Sequence, residues 1–128
     1  MERNQGKPLD PSAGVLDEAM LSEIRSLGPP GLLAKVLRTY LQSAPKLLNG
    51  IRTAVAEVDP VGLRSAAHTL KSSSGAVGAT AIADLARRLE ETGRSGSTQG
   101  ADSLAAQLDA SWIELEPELR ELVRKETP

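Results

Sequence analysis

An all-α fold, an antiparallel four-helix bundle with a short additional N-terminal helix, is predicted for this chain by three observations. Apolar residues recur at helical spacing through one short and four long segments. The connections between these segments are short and carry helix start and stop residues. The apolar complement is Leu, Ala, Val and Ile, with no Phe, one Trp and one Tyr in 128 residues. Such a set suits close helix packing better than a sheet, which favours aromatic and β-branched side chains. No segment alternates apolar and polar residues with period two, so no strand is expected.

Residues 1–15 are polar, contain Pro and Gly, and lack an apolar signal core, so they read as a flexible leader or linker. The domain proper is expected over residues 16–126. Its first helix, about 17 to 27, carries Leu16, Met20, Leu21, Ile24 and Leu27, with Asp17 as N-cap and Gly28 as stop. Pro29-Pro30 opens the second. Its stripe runs Leu33, Val36, Leu37, Tyr40, Ala44, Leu47, Leu48, Ile51, Val55, Val58. Pro45 should kink that helix without shifting the stripe, because the apolar phase resumes after it.

Asp59-Pro60 starts the third helix, an N-cap aspartate followed by proline at the first helical position. It is expected over about 60 to 76 and ends at Gly78. Thr80 is the expected cap of a fourth helix, with Ile82, Leu85, Ala86 and Leu89 inward and a stop near Gly93. Residues 93–101 form a polar loop. The last helix, about 102 to 124, turns Leu104, Leu108, Ser111, Trp112, Leu115, Leu119, Leu122 and Val123 inward, with a bend at Pro117.

The bulk numbers exclude several functions. A formal net charge of −2 argues against nucleic acid, whose backbone calls for a basic excess. The absence of cysteine removes disulfides and thiolate chemistry and fits a cytoplasmic protein. One histidine and no cysteine do not make a transition-metal site. No 18-residue apolar run occurs, so no direct membrane contact is expected.

The third helix has two faces. Leu63, Ala66, Ala67, Leu70, Ser74 and Val77 form the buried stripe, while Arg64, His68, Lys71, Ser72 and Gly75 cluster about 120° away. His68, the sole histidine, is thus placed near mid-helix and toward solvent. The run Ser72-Ser73-Ser74-Gly75 is poor helix material, and glycine costs about 1 kcal/mol relative to alanine. Helix propensity is given up there for small side chains that let another protein approach the ring. Arg64 and Lys71, at −4 and +3, are expected to flank the imidazole as cations and to favour its unprotonated, nucleophilic form. Glu90 and Arg94 lie beside the stripe of the fourth helix. Spacing leaves two roles for Glu90 open: orienting His68 across an antiparallel pair, or an ordinary i,i+4 surface pair with Arg94.

The run Ala67-His68-Thr69-Leu70-Lys71-Ser72-Ser73-Ser74-Gly75-Ala76-Val77-Gly78-Ala79 resembles the signature of histidine-containing phosphotransfer (HPt) domains. That signature is a histidine, an aliphatic residue at +2, a lysine at +3, small residues at +4 to +6 and a glycine at +10. Leu89-Glu90 is similar to an element of the family's next helix. The resemblance spans roughly residues 16–124. It implies a phosphorelay intermediate in which His68 accepts a phosphoryl group from a receiver-domain aspartyl phosphate and passes it to a response-regulator aspartate. It implies that Lys71 helps to neutralise the phosphoryl oxygens and that Ser72 lies under the docking receiver, where many members have glycine. Glu90 falls where some members carry a glutamine that hydrogen-bonds the histidine.

No acidic cluster is placed for Mg²⁺ and no Gly-rich nucleotide loop occurs, so no cofactor of its own is expected, and the receiver would bring the Mg²⁺. The expected partners are the receiver domains of a hybrid histidine kinase and of a response regulator. The module is expected to be a monomer and the C-terminal part of a hybrid sensor kinase, a parent that can be membrane-anchored. The alternative reading is a non-catalytic helical adaptor that binds receiver or kinase domains without being phosphorylated. A histidine-kinase dimerisation domain fits less well, since His68 is followed by Thr-Leu-Lys rather than by an acidic residue and an Arg-Thr-Pro run.

Overall fold

The computed structural model describes residues 16–128; the predicted leader or linker lies outside the described residues. Five helices follow in order: α1 Glu18–Ser26, α2 Leu32–Ala56, α3 Pro60–Ala76, α4 Thr80–Arg94 and α5 Ala101–Glu126. No strand occurs among the described residues. Helix α2 packs on α3, α3 on α4, α4 on α5, and α5 closes the ring against α2. Short connections make each sequential pair antiparallel. Helix α1 lies across one end. The Asp17 N–H donates to the Gly78 carbonyl at 2.8 Å, and Arg25 Nε donates to Glu126 at 2.9 Å.

The core is the predicted Leu-rich interior, with Leu33, Leu37, Ile51, Leu63, Leu70, Ile82, Leu89, Leu108 and Leu119 essentially inaccessible. Ala34 and Ala54 join it on α2, letting neighbouring helices approach closely. Tyr40 and Trp112 meet edge to face, with centroids 5.8 Å apart. The Tyr40 hydroxyl is paired with Ser74 Oγ at 2.7 Å, so both buried hydroxyls are satisfied. Burial pushes the Tyr40 phenol up to about 12 against the effect of that bond.

Four boundary expectations are corrected. Pro29-Pro30 lies in a turn, and α2 begins at Leu32 behind Gly31, whose φ of +92° only glycine adopts readily. Thr80 is the first helical residue of α4 rather than its cap; Ala79 holds that position without a side-chain bond. Gly93 lies buried inside α4. The terminating glycine is Gly96, at φ +82°, whose N–H bonds the Gly93 carbonyl. Val58 does not extend the α2 stripe: it is 69% exposed and takes φ +52°. It sits where a Schellman turn normally has glycine, its N–H on Val55 O and that of Asp59 on Ala54 O. The same turn after α3 uses Gly78, as expected. Helices α2 and α5 continue through Pro45 and Pro117. Asp59 caps α3 as expected, accepting from Gly62 N at 3.0 Å.

Candidate functional site

Helix α3 divides as its wheel predicts. Leu63, Ala67, Leu70, Ser74 and Val77 are buried. Ala66 is only half-buried. Arg64, His68 and Ser72 are exposed, and Lys71 and Gly75 are half-buried. The His68 side chain remains 59% accessible.

Helix α4 brings a buried carboxylate to it. Glu90 is 2% exposed, the one charged residue in the described core. Its Oε2 lies 2.8 Å from His68 Nδ1 and accepts from the Arg94 guanidinium at 3.0 Å. Its Oε1 meets Lys71 Nζ at 2.7 Å. The contacts that both readings of Glu90 require are therefore present at once, with the group buried rather than on the surface. The Lys71 hydrogen bond, then that of His68, holds its carboxyl down to about 2 against the opposing effect of burial. An ionised carboxylate only accepts hydrogen bonds, so a neutral His68 must carry its proton on Nδ1 and expose the lone pair of Nε2.

The two cations expected to flank the ring are engaged differently. Lys71 turns to Glu90 and neutralises the carboxylate behind the ring. Arg64 keeps its expected place, one turn before His68 on the exposed face.

The spacing of α3 and α4 depends on Gly93. A Cβ there would lie 2.6 Å from the Pro60 carbonyl oxygen and 2.8 Å from the Arg64 backbone nitrogen. No side-chain rotation relieves such contacts. Only glycine lets the last turn of α4 rest on the first turn of α3, three residues beyond Glu90. Beside the ring lies a cleft of about 420 Å³, lined by Val61, Arg64, Ser65, His68, Thr69, Glu90 and Arg94. Val61, 78% exposed, was missed by the sequence reading, although its place seven residues before His68 puts it on the same face. Gly93 was missed as a packing residue because a glycine near a helix end also reads as a stop. Among the described residues, no three His, Cys, Asp or Glu side chains group to hold a metal. No helix there is long and apolar enough to cross a membrane.

Gly75 is a glycine of another kind: a Cβ added there meets nothing within 4 Å. Gly75→Ala is expected to raise stability by up to about 1 kcal/mol, the helix-propensity difference. Urea denaturation checks this, and a loss of stability would reveal a constraint that the packing does not contain.

The Hpt domain family model matches residues 35–123. No curated protein sequence matches the chain. Among solved structures, it is similar to histidine-containing phosphotransfer protein B from Pseudomonas aeruginosa PAO1, with a TM-score of 0.81 at 24% identity over 86% of this chain and 95% of that one. That likeness establishes the helical-bundle fold.

Proposed function

The chain belongs to the Hpt domain family, the phosphotransfer modules of two-component phosphorelays, and we propose that His68 is the residue that carries its phosphoryl group. One observation carries the assignment: an accessible imidazole whose Nδ1 is held at 2.8 Å by a buried carboxylate. The chain has no other histidine.

The lone pair of Nε2 attacks the phosphorus of a receiver's aspartyl phosphate. The Nε2–P bond forms, the P–O bond to the aspartate breaks, and the aspartate leaves as a carboxylate. The proton stays on Nδ1, so the phosphorylated ring is cationic, and Glu90 faces that new charge. Running the step in reverse onto a second receiver's aspartate completes the relay. Phosphoryl transfer is mostly positioning and charge stabilisation. In this reading the Mg²⁺ belongs to the receiver, and this chain uses neither a metal nor ATP of its own. The partners are receiver domains, and we assign the donor to a hybrid histidine kinase and the acceptor to a response regulator. The small side chains of Ser72 and Gly75 leave room for them beside the ring.

The test is transfer from a ³²P-labelled receiver. The wild-type chain should take up acid-labile, base-stable label, and His68→Gln should take up none. A labelled His68→Gln chain would end the assignment. Receiver binding by the wild type without any transfer would favour the adaptor reading instead.

A further inference from the structure

We infer that Arg64 contacts the phosphoryl group on His68, a role that rests on the reading of His68 as the carrier. A cleft beside the imidazole opens toward the N-terminal half of α3, lined by Val61, Arg64, Ser65, Thr69 and Arg94. Lys71 is not part of that lining, and its ammonium is bound to Glu90 Oε1 at 2.7 Å. Drawing it away would leave a buried carboxylate short of a partner, which is costly. Arg94 also gives one guanidinium nitrogen to Glu90. Arg64 alone of the three cations makes no side-chain hydrogen bond or ion pair among the described residues.

Its position suits the task. It lies one turn from His68 on the same exposed face. Its backbone nitrogen and Cβ are held against Gly93 where α3 and α4 meet, so the base of the side chain is fixed at the edge of the cleft that Arg64 lines. A guanidinium presents a planar fork that matches two phosphoryl oxygens. The charges also divide sensibly: Lys71 and Arg94 answer Glu90, and Arg64 is left for the incoming phosphoryl group.

The test uses the whole chain with potassium phosphoramidate, a small donor that removes receiver docking from the measurement. The P–N bond of the donor breaks, ammonia leaves, and the P–Nε2 bond forms, followed by ³¹P NMR. Arg64→Gln should slow uptake roughly tenfold, the loss of one charge-assisted contact in the transition state. Arg64→Lys should lie between that variant and wild type. The imidazole ¹H–¹⁵N resonances should match wild type in both, showing that the His68–Glu90 bond is intact. Wild-type uptake by Arg64→Gln, or an Arg64→Lys rate as low as that of Arg64→Gln, overturns the role of Arg64. A wild-type chain that takes up no phosphoryl group overturns the assignment of His68, and this inference with it.

Discussion

Replacing Gly93 by alanine is expected to lower the thermal unfolding midpoint by several degrees and to slow phosphoryl uptake by His68. Two effects compete. Alanine improves helix propensity by about 1 kcal/mol. Against that, its Cβ would stand under 3 Å from the Pro60 oxygen and the Arg64 nitrogen, both backbone atoms. Overpacking of this kind costs about 1–3 kcal/mol even where side chains can yield, and here none can. The clash wins, and it is relieved only by moving α4 away from α3. Glu90 lies one turn before Gly93 on α4, so the same movement lengthens its bond to His68. Circular dichroism melts and receiver-to-chain transfer rates read the two consequences. A variant that melts like wild type would show that the helices can part without cost. The contrast with Gly75→Ala, expected to stabilise, separates a glycine required for contact from one with open space around it.

Glu90→Gln is expected to slow phosphoryl uptake by about 10- to 100-fold. The amide can still accept the Nδ1 proton, but the cationic phosphorylated ring loses its facing charge. A hydrogen bond to a charged partner is worth about 1.5–3 kcal/mol. The same variant has a signature in acid. The folded-state carboxyl of Glu90 sits near 2, below its ordinary 4.5. A depressed carboxyl stabilises the fold fully above its unfolded value and loses that contribution as the pH falls through the folded value. The wild type should therefore lose of order 3 kcal/mol relative to Glu90→Gln between about pH 5 and pH 2. Urea unfolding of both proteins across that range gives the difference directly. A gap independent of pH would mean that Glu90 is not ionised by its neighbours in the fold.

The helices and the exposed face of α3 were legible because each is a local property. Apolar periodicity placed the core, Asp59-Pro60 fixed where α3 starts, and Gly78 fixed its end. His68 followed from the same wheel, and the resemblance to HPt domains gave it a chemistry. What was not legible depends on how two helices meet. Gly93 and Gly96 are equally good stops on the page, and only the contact with Pro60 and Arg64 shows which of them is packed. The burial of Glu90 follows from that contact, since a carboxylate beside an apolar stripe stays in water unless a neighbouring helix comes close. The turn of Lys71 toward it follows in turn. Val58 was unreadable for another reason: its left-handed backbone is disfavoured for a β-branched residue and is imposed by the reversal between α2 and α3.

The tight turn between α3 and α4 also bears on how the protein comes to have a site at all. His68 and Glu90 are separated by only 22 positions, nearly all of them within two consecutive helices. Bringing them together closes a short stretch of chain, so little entropy is lost beyond what the helices already cost. Contacts of such low sequence separation are those that form quickly during folding. The His68–Glu90 pair can be assembled by one helical hairpin before the long-range contacts of α2 with α5 are in place, and the chemistry of the molecule is then among the first things its folding decides.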